Sequence, residues 1–92
     1  MDQQAESGAG GRATFSGLLV MFGATGMAQL GAVPDPADGQ KQVDLEGAKH
    51  TIELLEVLEQ KTVGNLAEPE SQLLKEILFD LRLRYVEAAK AR

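Results

Sequence analysis

Apolar side chains recur at helical spacing in three segments of the chain, which are separated by short runs rich in Gly, Pro, Asp and Asn. At about 100° per residue, the third segment forms one apolar stripe from Leu73, Leu74, Ile77, Leu78, Leu81, Tyr85 and Ala88. The second segment forms another from Leu45, Ala48, Ile52, Leu55 and Leu58. The pattern predicts an all-α fold of three helices, in which helix 2 and helix 3 form an antiparallel hairpin.

Start and stop signals set the bounds of these helices. Thr14 or Ser16 can cap helix 1, Asp44 can cap helix 2, and Pro69 suits the first turn of helix 3. Residues 1–13 have little to bury, so we expect a disordered tail there. The remainder is predicted as a single helical domain at residues 14–92, with helices at about 15–31, 44–62 and 68–91.

A second apolar stripe on helix 3 consists of Phe79, Leu83 and Val86 and lies nearly opposite the first. The hairpin cannot cover both stripes, although fully burying side chains of this size contributes about 1.5–3 kcal/mol each. Two explanations are open, and both can hold: helix 1 folds back over a surplus stripe, or a second subunit or a different protein covers it. Arg82 lies between the stripes, where it either anchors an interface or lays its stem across apolar surface.

Helix 1 carries large apolar side chains on one side and small residues on the other. The large ones are Phe15, Leu18, Leu19, Phe22, Leu30 and Val33. The small ones are Gly17, Ala24, Ala28 and Gly31, and such a line lets another backbone approach closely. We therefore expect helix 1 to pack on the hairpin or on another subunit. The candidate protein interface comprises these small residues together with Phe79, Arg82, Leu83 and Val86.

Residues that carry chemistry are scarce. The chain contains no cysteine and a single histidine, His50, so it has no thiol nucleophile and no histidine pair for a metal ion. We predict no enzymatic activity and no catalytic, cofactor or metal site. The formal net charge of −5 argues against nucleic acid as a partner, because phosphate backbones attract basic surfaces.

The segment from Ala13 to Pro34 has no charged residue, which leaves membrane association open as an alternative. Its length is near the roughly 20 residues that cross a bilayer, but glycines and polar residues interrupt it. The lack of cysteine fits a reducing cytoplasm, and the chain opens with acidic residues, unlike a secretory signal. We expect a cytoplasmic protein, with peripheral membrane association less favoured.

Several strings resemble a family of small bacterial proteins classed as a domain of unknown function. The most distinctive are Gly64-Asn65-Leu66 and Leu81-Arg82-Leu83-Arg84-Tyr85-Val86-Glu87-Ala88. The resemblance covers most of the chain and implies a short helical cytoplasmic protein with no assigned activity. Family members usually have Thr in place of Ala67, where it forms a capping box with the residue at Glu70, and fewer glycines in helix 1. We therefore expect helix 3 to begin less firmly in this chain.

Together these features predict a non-enzymatic helical interaction or assembly protein, either homo-oligomeric or a small adaptor subunit of a larger complex. Its partner would be a protein, another copy of itself, or both. The alternative is a membrane-associated small protein that uses the uncharged helix 1 as its anchor.

Overall fold

A computed structural model describes residues 12–34 and 38–91, which form three α-helices and no β-strand. The helices are α1 (Phe15–Gln29), α2 (Leu45–Lys61) and α3 (Glu68–Lys90), and they correspond to the predicted helices 1 to 3. Each helix contacts both of the others, so the predicted all-α fold is confirmed. Of the predicted tail, all but Arg12 and Ala13 lie outside the described residues, and its disorder stays a prediction.

The N-termini of α1 and α2 are capped by the side chains that the sequence indicates. The Thr14 hydroxyl oxygen accepts a hydrogen bond from the backbone N–H of Gly17 at 2.9 Å. An Asp44 carboxylate oxygen accepts one from the backbone N–H of Gly47, also at 2.9 Å. Each bond satisfies a donor that has no partner within its own helix. Local sequence therefore decides where these two helices begin.

The start of α3 lacks such a cap. Ala67 occupies the N-cap position and has no side-chain oxygen to offer. Glu70 Oε1 accepts a hydrogen bond from the backbone N–H of Ala67 at 2.8 Å, which forms one half of a capping box. Pro69 lies in the first turn, where its missing N–H needs no partner. The other half of the box is missing at Ala67, as the sequence predicts.

Helix α1 ends at Gln29 with Leu30 as its C-cap, within two residues of the predicted end near residue 31. Gly31 adopts a φ of 75°, a left-handed conformation that closes helices. Leu30 instead forms an isolated antiparallel bridge with Val43. The backbone N–H of Asp44 also donates to the carbonyl oxygen of Gln29 at 2.6 Å. The chain thus returns on itself and ties the end of α1 to the start of α2.

The core lies between the three described helices and takes one face from each. Its buried members are Leu19, Leu30, Ala48, Ile52, Leu55, Leu74, Leu78 and Leu81. Most of them belong to the stripes predicted on helices 2 and 3, so the predicted hairpin faces are confirmed. Helix 1 adds Leu19, with Phe15 and Phe22 packed beside it. Of the two placements left open for helix 1, the structure shows it packed on the hairpin.

A glycine brings the backbone of α1 close to α3. A Cβ atom added to Gly26 would lie 2.9 Å from both methyl carbons of Leu81, closer than real side chains approach. At Gly23 the same atom would lie 3.5 Å from Ile77, which is an ordinary contact. Glycine weakens a helix interior by about 1 kcal/mol relative to Ala. Close packing offsets that weakness at Gly26.

A buried polar contact joins α1 to α2. The Thr51 hydroxyl donates a hydrogen bond to Gln29 Oε1 at 2.7 Å, and Thr51 is only 3% exposed. A buried hydroxyl without a partner is destabilising, so Gln29 supplies what Thr51 requires. The backbone carbonyl oxygen of Gln29 also accepts a hydrogen bond from the backbone N–H of Asp44. Gln29 therefore holds the end of α1 through both its side chain and its backbone.

Candidate protein interface

The second apolar stripe of α3 lies on the outer face of the helix. Phe79 is 69% exposed, and Leu83 and Val86 are each 48% exposed. Their i, i+4 and i+7 spacing puts them in one row about 10 Å long. We call these three residues the outer stripe. Within residues 12–34 and 38–91, they are the large apolar side chains that α3 leaves most open to solvent.

Helix α1 does not cover the outer stripe. It meets α3 at Ile77 and Leu81, on the inner side of that helix and one of its flanks. The alternative in which helix 1 folds back over the second stripe is therefore wrong for the described residues. The other alternative, cover by a second subunit or a different protein, stays a prediction.

Two ion pairs border the outer stripe. Arg82 Nη2 lies 2.8 Å from Glu56 Oε2, which links α3 to α2. Arg82 is also three residues from Phe79 and four from Val86, so it lies beside the stripe. On the opposite border, Arg84 Nε lies 3.1 Å from Asp80 Oδ1. Such exposed pairs contribute about 0–1 kcal/mol, so neither adds much to the stability of the fold.

The small residues predicted as an interface on helix 1 differ in their position and exposure. Gly17 lies beside the capping hydroxyl of Thr14, and Gly31 lies in the turn after α1 next to Val43. Ala28 is already buried, while Ala24 is exposed. Their role as an interface stays a prediction. The four residues occupy a helix cap, a turn, the buried side of α1 and its surface.

Two exposed apolar residues of α1 were not among the predicted site residues. Val20 is 57% exposed and Met21 is 65% exposed. Both belong to a helix in which every residue is uncharged. The available signal was that this helix has no charged residue and only three polar ones, Ser16, Thr25 and Gln29. A helix with so little polar surface usually has more than one covered face.

An apolar groove of about 310 Å³ opens between α1 and α3. Glycine and apolar side chains make up its walls, with one carboxylate at the edge: Val20, Gly23, Ala24, Met27, Leu73, Ile77, Asp80 and Leu81. Its volume is at the lower end of the range for small-molecule pockets. This groove could not be predicted from the sequence, because two helices distant in sequence supply its walls.

The described residues also bear on the metal and membrane predictions. In residues 12–34 and 38–91, no three His, Asp or Glu side chains lie close enough together to hold a metal ion. Over the same part of the chain, none of the helices has both the length and the apolar character to cross a bilayer. His50 is exposed on α2.

The fold and this surface define a class: a small α-helical domain with a packed core and an uncovered apolar stripe on one helix. The sequence model of the family described as a domain of unknown function (DUF1844) matches residues 12–87. The chain therefore belongs to this family, which confirms the resemblance seen in its sequence. The match includes α1, α2 and the outer stripe of α3. Comparisons with curated proteins and with solved structures found no significant match.

Proposed function

We propose that this protein acts without catalysis, as a helical interaction protein whose outer stripe binds another protein in the cytoplasm. It works either as a homo-oligomer or as a small adaptor subunit of a larger complex. The observation that carries the proposal is the exposure of Phe79, Leu83 and Val86 on a domain whose core is already filled by other side chains.

The arrangement of these side chains supports an interaction role. Single exposed apolar residues are common on soluble proteins and need no explanation. Three large ones in a row on a regular helix are different, because covering the part of each that is still exposed would add a share of the about 1.5–3 kcal/mol that full burial gives. Interfaces typically centre on aromatic and aliphatic side chains, with Arg enriched among their strongest contacts. Arg82, at the edge of the outer stripe, is an arginine in such a position.

Photo-crosslinking in cells tests the proposal. A photoreactive phenylalanine analogue replaces Phe79, and in a control it replaces Val63, which is 76% exposed in the turn between α2 and α3. We expect one dominant covalent adduct from position 79, identified by mass spectrometry as this protein or another, and none from position 63. Equal adducts from both positions, or none from position 79, would contradict the proposal.

A second candidate function is peripheral membrane association through α1, and the exposure of Val20 and Met21 on an uncharged helix favours it. The test is flotation with vesicles of phosphatidylcholine and phosphatidylglycerol. If the candidate is right, Met21→Glu abolishes flotation while Val63→Glu leaves it unchanged. Absence of flotation by the unaltered protein removes this candidate.

A further inference from the structure

The outer stripe is bounded by opposite charges at equal distances from its centre. Glu76 lies seven residues before Leu83, and Lys90 lies seven residues after it. Both side chains are exposed, and neither takes part in the Arg82–Glu56 or Arg84–Asp80 pair. Seven residues are about two helical turns, so each charge lies about 10 Å from Leu83 along the helix axis. The stripe is therefore flanked by an acidic residue before it and a basic residue after it, and the exposed Lys75 and Glu87 lie beside this line of side chains, one on each side.

These five side chains share that face closely enough to meet one partner. At about 100° per residue, Glu76, Phe79, Leu83, Val86 and Lys90 fall within about 80° of one another around the helix. A seven-residue repeat drifts by only about 20° per step, so Glu76, Leu83 and Lys90 stay in line. A helix laid against this face would contact both charges and all three apolar side chains.

We propose that the partner of the outer stripe is the outer stripe of a second copy of this chain, in an antiparallel arrangement with a two-fold axis at Leu83. This inference rests on the proposed function and names its partner. Such an axis places Glu76 opposite Lys90 of the second copy, and Lys90 opposite Glu76 of the second copy. Leu83 meets its own equivalent, and Phe79 packs beside Val86 of the second copy.

Charge distinguishes this arrangement from its parallel alternative. In a parallel pair in register, Glu76 would face Glu76 and Lys90 would face Lys90, and like charges directly opposed are destabilising. The antiparallel pair replaces two repulsions with two attractions. The geometry of the stripe thus selects one orientation of the two copies.

The net charge of the chain does not oppose pairing at this face. The whole chain carries −5, but the segment from Lys75 to Lys90 holds four cationic and three acidic side chains. The acidic excess therefore lies elsewhere in the sequence.

Residues 1–11 offer only Met1, Ala5 and Ala9 as apolar side chains, which makes them a poor cover for the stripe. Because one helix-to-helix contact is smaller than a standard interface, we expect a weak dimer.

Engineered disulfides test the geometry, since the chain has no cysteine of its own. We expect Leu83→Cys to form a disulfide-linked dimer under mild oxidation, because the two-fold axis brings this position next to its equivalent. Glu76→Cys should stay unlinked, since its two copies would lie about 20 Å apart, beyond the roughly 7 Å that a disulfide spans. Mixing Glu76→Cys with Lys90→Cys should give the mixed dimer. Val63→Cys is the control for random collision.

Charge reversal tests the same geometry without cysteine. In low salt, where surface charge pairs are least screened, sedimentation equilibrium measures dimerisation of the 9.8 kDa chain. Glu76→Lys or Lys90→Glu alone should weaken the dimer about tenfold, because two like-charged contacts replace two attractive ones. The double variant should regain the original affinity. Lys41→Glu, an exposed reversal in the α1–α2 connection, should leave it unchanged.

The proposal fails if the unaltered protein stays monomeric at every concentration, or if a dimer persists in Phe79→Glu. It also fails if Glu76→Cys links to itself as readily as Leu83→Cys, or if the double charge reversal is weaker than either single one. A purified monomer that still gives one foreign adduct from position 79 would overturn this inference and leave the proposed function standing.

Discussion

The inner and outer faces of α3 have similar side chains and opposite surroundings. Leu74, Leu78 and Leu81 face inward and are at most 1% exposed. Phe79 and Leu83, on the same helix and with the same apolar character, remain about half exposed or more. The difference arises because α1 and α2 both pack against the inner side. Apolar character alone therefore marks a surface that needs cover, and the positions of the neighbouring helices decide which surface is covered within one chain.

The largest expected effect is a difference in the free energy of unfolding between a substitution on the inner face of α3 and one on its outer face. In the Phe79→Glu variant, where association through the outer stripe is removed, Leu78→Ala should lower the free energy of unfolding by about 2–5 kcal/mol or unfold the protein. Leu78 is fully buried, so its loss leaves a cavity. In the same variant, Leu83→Ala should change the free energy of unfolding by no more than about 0.5 kcal/mol. Urea unfolding followed by circular dichroism measures both.

Equal losses from the two leucines would contradict the assignment of inner and outer faces. A large loss from Leu83→Ala alone would mean that another part of the chain covers the outer stripe. Val57→Ala serves as a further control, because Val57 is half exposed on α2 and does not belong to the stripe.

The second prediction tests how tightly the inner face of α3 meets α1. Gly26→Ala should destabilise the protein by about 1 kcal/mol, because overpacking against buried Leu81 outweighs the gain in helix propensity. Gly23→Ala should instead stabilise it by about 0.5–1 kcal/mol, since the added methyl makes an ordinary contact with Ile77. Thermal unfolding of the pair gives the sign of each change. The same sign for both would show that α1 is not seated on α3 at Gly26.

The smallest effect concerns the start of α3. A side-chain cap added there would stabilise the helix without altering its inner or outer face. Ala67→Thr should raise the free energy of unfolding by about 0.5–1 kcal/mol, because its hydroxyl completes the capping box with Glu70. Ala67→Val has the same shape without the hydroxyl and should give no such gain. An unchanged urea midpoint in the Thr variant would count against this helix boundary. Dimerisation should be the same in both variants.

Part of the fold was available from the sequence because its determinants are local. Thr14 and Asp44 cap helices with their own side chains, and the stripes of helices 2 and 3 follow from side-chain periodicity. Gly31 closes α1 locally, but the tie between the end of α1 and the start of α2 could not be predicted, because it depends on a bridge between Leu30 and Val43 and on a hydrogen bond from Asp44 to Gln29. No property of residues near Leu30 indicates that partner.

The candidate interface could likewise be predicted only in part from the sequence. Phe79, Leu83 and Val86 were found from the sequence, because a second stripe opposite the first is visible in the spacing alone. The small residues of helix 1 were grouped by a helical projection that does not show which side meets a neighbour. Gly26, which allows the close contact with Leu81, lay outside that group. A projection shows which residues share a face, and packing decides what that face touches.

By itself, the sequence determined the helices, their polarity, the hairpin faces and the presence of more apolar surface than one hairpin can bury. These follow from periodicity, capping and composition, which act over a few residues. Only the tertiary structure decided that α1 covers the inner side of α3, that Gly26 sets their distance, and that the outer stripe stays open. The physical reason is that apolar attraction has no direction, so close packing of whole helices selects which faces meet.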